Sequence, residues 1–420
     1  MRRHRIFIIA IVACFHSLTI SSQPRLQAEN IDDVIAAMTL EEKCHLVLGC
    51  GMSYGDDAKF PGTAGSTYAI PRLGIPKTYC ADSNQGLRMS ARRDFDSRNY
   101  FCTDYMTSIS LASAWDKDAA YRIGKGIGNE TKEYGLDWIL APSMNLMRNV
   151  LCGRNHEYYS EDPYLSGTIA AHYVMGIQSE GTAACVKHFA ANSQETNRNA
   201  NDSRVSQRAL RELYLRNFEL AVRISNPWTV MTAYNSINGK PTCEDISLTE
   251  TVLRGEWNYK GLVVSDWNAG SNATASMVAG NDMLQPGQDK QYHELLANAK
   301  NGRLPMAVLD RNVKRILQFI VKCHNFNNYT YSNEPDLKQH AADDRKIGAE
   351  GMVLLKNENV LPLLAGQNVA LYGCTSYDII PGGTGFGGTT VGRYTVSLVE
   401  GLRNAGFSVY KPLINQYKKH

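Results

Sequence analysis

The chain has little net charge, and most of what it has sits at one end. Among 420 residues, 44 Lys and Arg face 41 Asp and Glu; without Arg2, Arg3 and Arg5 the two counts are equal at 41, and the first 22 residues hold no acidic side chain. A neutral body lacks the broad electropositive face that a nucleic-acid partner requires. Long apolar runs are also missing. The ten-residue run at 6–15 is too short to cross a bilayer. None of the ten cysteines forms a Cys-x-x-Cys pair or a Cys/His zinc spacing, and His-Glu-x-x-His is absent, so no metal site is expected. Cys14 lies in the apolar run, and the odd number remaining leaves at least one thiol unpaired. Most read as small buried residues, such as Cys185 in Ala183-Ala184-Cys185-Val186, rather than as a disulfide framework.

The N-terminus has the layout of a secretory signal peptide over residues 1–22: a basic start, an apolar stretch, then small and polar residues. Export to the periplasm or the exterior is the expectation. An internal helix fits these flanks less well. Ile11-Val12-Ala13-Cys14 also resembles a lipoprotein cleavage box, which would anchor the chain to a membrane by lipid on Cys14; no other membrane partner is expected. Oligomeric state is not legible.

Beyond the leader, short apolar runs at 77–81, 137–141, 183–186, 228–233 and 261–265 alternate with amphipathic stretches. One of these, 206–223, repeats Leu210, Leu213, Tyr214, Phe218 and Ala221 at helical spacing. Alternating strand and helix predicts a parallel sheet, and residues 23–328 suffice for one (β/α)8 TIM-like barrel, with a doubly wound open sheet as the competitor. Each run is followed at once by residues a core would not choose: Asp82; Pro142 and Asn145; Lys187 and His188; Tyr234 and Asn235; Asp266 and Trp267. In a barrel the C-terminal strand ends share one rim, which would gather these residues into one pocket.

The polar stretch after Tyr329 reads as a linker, 329–342. From 343 to 420 the pattern is a helix (343–352), a turn at Lys356-Asn357-Glu358-Asn359, a strand (368–372), a Gly-rich loop (382–388), a helix (396–404) and a strand (407–410). One strand, helix, strand unit cannot cover both faces of a parallel sheet. The expectation is therefore the start of an α/β sandwich domain, incomplete and apparently truncated.

The convergent set holds two carboxylates (Asp266, Asp82), four cations (Lys187, Arg154, Arg198, Arg88) and two aromatics (Tyr234, Trp267). Cations lower a neighbouring carboxyl pKa, which suits a nucleophile, and polar groups around an aromatic wall suit a sugar. Taken singly, Asp266 reads equally well as a helix cap and His188 as a structural histidine. Trp115, Trp138, Trp228 and Trp257 read as packing residues. Gly383-x-Gly385-x-x-Gly388 has the letters of a dinucleotide fingerprint but neither the strand directly before it nor the acidic residue after the next one. No cofactor is expected.

These segments resemble glycoside hydrolase family 3, in its two-domain β-glucosidase branch. The resemblance is carried by Met38-Thr39-Leu40-Glu41-Glu42-Lys43, Ile70-Pro71-Arg72-Leu73-Gly74-Ile75-Pro76, Asp82 through Arg88, Gly153-Arg154-Asn155, Tyr158-Tyr159-Ser160-Glu161-Asp162-Pro163, Lys187-His188-Phe189, Gln194-Glu195-Thr196-Asn197-Arg198 and Ser265-Asp266-Trp267, with Leu354-Leu355-Lys356-Asn357 and Gly382-Gly383-Thr384-Gly385 beyond the barrel. It implies that Asp266 is the nucleophile of a retaining β-glucosidase. It further implies that Asp82 grips sugar hydroxyls with Arg88 nearby, that Arg154, Lys187, His188, Arg198 and Tyr234 line the sugar subsite, that Trp267 flanks the nucleophile and that Met231 touches the sugar's apolar face. The implied partner is a small carbohydrate. A catalytically silent sugar-binding protein and a β-xylosidase of the same family are the alternatives; Trp267 and Asp82 favour glucose over xylose. Three departures stand out. Asp82-Ser83-Asn84-Gln85-Gly86 replaces the usual Asp-Gly-Pro turn, Phe386 stands where relatives often carry Ser, and the acid/base Glu of the family falls beyond His420. Glu350, Glu358 and Glu400 sit in no matching motif.

Overall fold

The computed structural model describes residues 23–52, 59–93, 95–382 and 390–417. The expected leader with Cys14, and the Gly-rich loop from 383 on with Phe386, lie outside the described residues.

Five parallel strands, Tyr79–Asp82, Trp138–Leu140, Ala183–Phe189, Thr229–Thr232 and Leu262–Val264, pair in chain order. All five coincide with expected runs. Their edges meet through segments too short to show a pattern. Gly65–Ser66 adds to the first strand in antiparallel sense. Met283 bridges Val264, Leu284 bridges Leu48, and Cys50 N donates to Ser66 O at 3.0 Å. Eight segments thus close a ring, one of them reversed. The seam depends on Gly49, where a Cβ would lie 2.1 Å from the Gln285 side chain.

Alternation along the strands divides the core in two. Ile139, Ala184, Val186, Val230 and Val263 face the helices Lys117–Glu133, Pro163–Ser179 and Arg216–Ser225. Trp138, Leu140, Cys185, Met231, Leu262 and Val264 belong to the other cluster, and Leu140 and Met231 reach the cavity at the rim. The first two helices approach so closely that a Cβ on Gly124 would sit 2.1 Å from Tyr173 O.

Other expectations are corrected. The helix expected at 206–223 is interrupted by a π turn at Leu210–Tyr214. Its wider turn rotates the apolar face, leaving Leu213 exposed while Leu215 is buried. Trp115 is not a packing residue; it is 75% exposed. The span 329–342, expected as a linker, is tied to the barrel by hydrogen bonds. Asn333 N donates to Glu133 O at 2.8 Å, and Arg93 Nη1 to Asn333 Oδ1 at 2.8 Å. The Asp336 side chain caps a helix that begins six residues early, Leu337–Glu350. That helix docks on the barrel through His340 and Glu130 (2.9 Å), an Arg122–Asp343 ion pair, and Met106 N donating to Asp344 Oδ1 (2.8 Å).

Farther on, Asn368–Val369 pairs in parallel with Ser408–Val409. The helix Leu398–Asn404 carries a capping box of Ser397 and Glu400, and a helix that the sequence pattern does not predict covers Lys411–Tyr417. The nine described cysteines are free thiols. No helix among the described residues is long and apolar enough to cross a membrane.

Candidate active site

Strand parity determines which side chains meet at the rim. Asp82 continues the phase of Cys80, Lys187 that of Cys185, and Asp266 that of Val264, so all three turn inward beside Leu140 and Met231. His188 follows Lys187 and would normally point away. A register shift between Val186 and Phe189 breaks the alternation and brings both side chains to the cavity.

The two aspartates share a local geometry. Each accepts the next residue's backbone N–H on Oδ1: Ser83 N at 2.8 Å from Asp82, and Trp267 N at 2.7 Å from Asp266. Their surroundings then differ. Asp82 Oδ1 also accepts from Lys187 Nζ at 2.6 Å, whereas Asp266 Oδ2 is buried with no hydrogen-bond partner, 3.5 Å from His188 Nε2. Burial raises the Asp266 carboxyl to about 6, against the opposing charges of Arg154, Lys187 and Arg198. This corrects the expectation that cations hold it low: they are present, but desolvation outweighs them. At neutral pH the group is still mostly ionised.

Burial first, then Arg154, Lys187 and Arg198, hold the His188 pKa well below the usual histidine range, so the ring is neutral. Arg154 Nη2, which can only donate, lies 3.1 Å from His188 Nε2. That assigns the proton to Nδ1, facing Asn145 Oδ1 at 3.4 Å. Asn145 also grips the His188 backbone at both ends, at 2.8 and 2.9 Å. Arg198 stacks on Tyr234 with its guanidinium carbon 4.2 Å from the ring centre, and pairs with Glu195 at 3.0 Å. Burial and then the Asp266 charge push the Tyr234 hydroxyl up, keeping it protonated.

The cavity measures about 510 Å³. It is lined by Asp266, Asp82, Arg154, Lys187, His188, Arg198, Met231, Tyr234 and Trp267. Arg88 does not line it; its backbone N–H closes the turn onto Asp82 O at 3.1 Å. Sequence reasoning missed Met52, Ala64, Leu140, Gly153, His156, Glu157, Glu195 and Asn268. Glu195 was visible inside the Gln194–Arg198 motif, while Glu157 carried no signal beyond its place between two motifs. The Trp267 indole N–H, like Asp266 Oδ2, is buried without a partner. These two buried atoms, one donor and one acceptor, sit amid fixed charges. No group of three His, Cys, Asp or Glu among the described residues could hold a metal ion.

Residues 69–319 match the glycosyl hydrolase family 3 N terminal domain. The chain belongs to this family. Beta-glucosidase B of Emericella nidulans is 38% identical over 392 residues, covering 91% of this chain and 44% of the relative. Thermostable beta-glucosidase B of Acetivibrio thermocellus is 39% identical over 355 residues, covering 82% and 45%. Among solved structures, beta-glucosidase 3B from Thermotoga neapolitana in complex with alpha-D-glucose superimposes with a TM-score of 0.90 at 44% identity, covering 93% of this chain and 56% of that one. The fold of this family 3 chain is therefore a TIM-like barrel followed by an α/β unit, and the chain spans about half the length of the relatives it matches.

Proposed function

We propose that this chain carries the nucleophile and the sugar pocket of a retaining β-glucosidase. The observation that carries the reading is the buried Asp266 carboxylate, whose Oδ2 meets no hydrogen bond of good geometry and whose charge is faced by the Tyr234 hydroxyl, set at a strand end in a cavity with Arg154, Lys187, Arg198 and Trp267. Oδ1 is occupied by the Trp267 N–H, so Oδ2 has the lone pair that attacks an anomeric carbon. The bond from Oδ2 to carbon forms as the bond to the leaving oxygen breaks, giving a covalent glycosyl ester that water later hydrolyses. Asp82 with Lys187, together with Arg154, His188 and the Trp267 face, would hold the hydroxyls and one face of a terminal β-D-glucosyl unit. The names of the relatives support the substrate class.

Retention also needs a carboxylic acid about 5 to 5.5 Å from the nucleophile to protonate the leaving oxygen. The other carboxylates lining the cavity are ion-paired: Asp82 with Lys187, Glu157 with Arg154, and Glu195 with Arg198. Against its burial, Arg154 and Lys187 hold the Glu157 carboxyl below the usual carboxylate range. General acid catalysis is worth about 10² to 10⁴-fold, so the described residues alone should cleave glucosides with good leaving groups and fail on poor ones. Aryl β-glucosides of graded leaving-group pKa test this. Turnover that falls steeply with leaving-group pKa and disappears in Asp266→Asn supports the reading. Turnover unchanged in Asp266→Asn sinks the nucleophile assignment, and robust cellobiose cleavage with a flat dependence sinks the absence of an acid.

The basic and apolar start of the sequence supports a second proposal, export by a cleaved leader. Fractionation and N-terminal sequencing of the secreted chain decide it, with lipid on Cys14 as the anchored outcome.

A further inference from the structure

Arg154, a cation of the cavity, is anchored by Glu157 on the same wall. Arg154 reaches His188 with Nη2 and approaches Glu195 with Nη1 at 3.8 Å. Its Nε is bound by Glu157 Oε1. Glu157 is buried at 1% exposure, and a buried carboxylate whose lone pairs go unfilled carries a heavy desolvation cost. The donors come from two other loops. Asn84 Nδ2 donates to Glu157 Oε2 at 2.6 Å and Ser143 Oγ donates to the same oxygen at 3.0 Å.

Asn84 is in turn held at its other end. Its Oδ1 accepts from Ser143 N at 2.6 Å, which assigns the amide orientation, and its backbone carbonyl accepts from Tyr173 OH at 2.9 Å. The path therefore runs from the loop after the first parallel strand, through Asn84, to Glu157 and the Arg154 guanidinium, and from there to His188 and Asp266. An arginine side chain left free loses rotamer entropy on being fixed; here the fixing is done before any ligand arrives.

We propose that Asn84 and Glu157 are positioning residues that lock the Arg154 guanidinium beside His188 and Asp266. The proposal rests on the glucoside reading above. Because Arg154 is the strongest of the charges opposing the burial of Asp266, loosening it has a signature that simple loss of packing lacks. Removing Asn84 changes no charge, yet a guanidinium that drifts from Asp266 leaves the carboxyl harder to ionise. The charges facing Asp266 that enter this balance are Arg154, Lys187 and Arg198; its other titratable neighbours, the His188 ring, the Tyr234 hydroxyl and the Cys185 and Cys243 thiols, are uncharged over this range.

The test uses the full chain and 2-deoxy-2-fluoro-β-glucosyl fluoride. With this probe Asp266 Oδ2 bonds to the anomeric carbon and fluoride departs with the electron pair, so no acid is required. Labelling is followed by intact-mass spectrometry from pH 4.5 to 8. Wild type should label with an acid limb near pH 6. Asn84→Ala should label about tenfold more slowly at pH 7, with the limb moved up by about half a unit. Ser143→Ala, which removes one of the two donors to Glu157 Oε2, should fall between. Glu157→Gln should be the slowest, about a hundredfold down. If Asn84→Ala does not fold, the labelling rates of Ser143→Ala and Glu157→Gln decide the question. Rates and limbs equal to wild type overturn the relay and leave the glucoside reading standing; slower labelling with an unmoved limb in Asn84→Ala overturns it as well, reducing Asn84 to packing. No labelling of wild type overturns both.

Discussion

The barrel strands and the segment after the helix Leu337–Glu350 use similar apolar side chains in opposite ways. Trp138, Ile139, Val186 and Val263 are completely buried, while Val353, Leu354 and Leu364 stand largely in solvent and Leu355 is 92% exposed. The later segment has a small core of its own, Val399, Val409 and Ile414, and ties to the barrel such as Cys102 N donating to Val391 O at 2.9 Å. Stability is therefore concentrated in the barrel. The cavity is positioned by a closed ring with a core on both of its faces, so its geometry should not depend on the apolar residues of 353–364.

Four measurements bear on that contrast. The largest effect is chemical: Asp266→Asn should lower covalent labelling by at least about 10³-fold while glucose affinity, read by calorimetry, stays within a few-fold. Next is stability. Trp138→Ala empties the ring interior and should cost about 3 to 5 kcal/mol in denaturant unfolding, whereas Leu355→Ser should stay within about 0.5 kcal/mol; equal losses would erase the contrast. Third is pH. Attack needs the ionised Asp266, whose carboxyl is raised to about 6, so labelling should be half-maximal near that pH and fall about tenfold per unit well below it. A limb near pH 4 would show that the cations win after all. The smallest effect belongs to Ser83, which holds φ at +107°. That is glycine's territory, and strain of this kind costs about 1 to 3 kcal/mol. Ser83→Gly should raise stability by about 1 kcal/mol, net of the Gln85 N–H bond its hydroxyl accepts.

Much of this architecture was legible because barrel strands are apolar runs that end on polar residues. Parity along those runs already places Asp82, Lys187 and Asp266 on one side, and the structure brings them together. What escaped reading had no period to show. Gly65–Ser66 and the Leu48–Leu284 bridge are too short for alternation, and the π turn at Leu210–Tyr214 shifts a face without changing composition. Arg88 was drawn into the set by its motif, but it is its backbone that meets Asp82. The Asp-Gly-Pro departure is the instructive case. Ser83 keeps a backbone suited to Gly, and Asn84, in the place of Pro, supplies three amide hydrogen bonds that Pro could not make.

The seam of the ring also sets a timetable. Leu48 and Leu284 are neighbours in space but lie some 236 residues apart in the chain. At roughly 5 to 20 residues per second of synthesis, the strand at Leu48 waits on the order of 10 to 50 s for its partner. Until then it offers an unpaired edge of the kind that recruits other chains. The ring therefore closes late in synthesis, and the segment at Leu48 must stay available until its partner emerges.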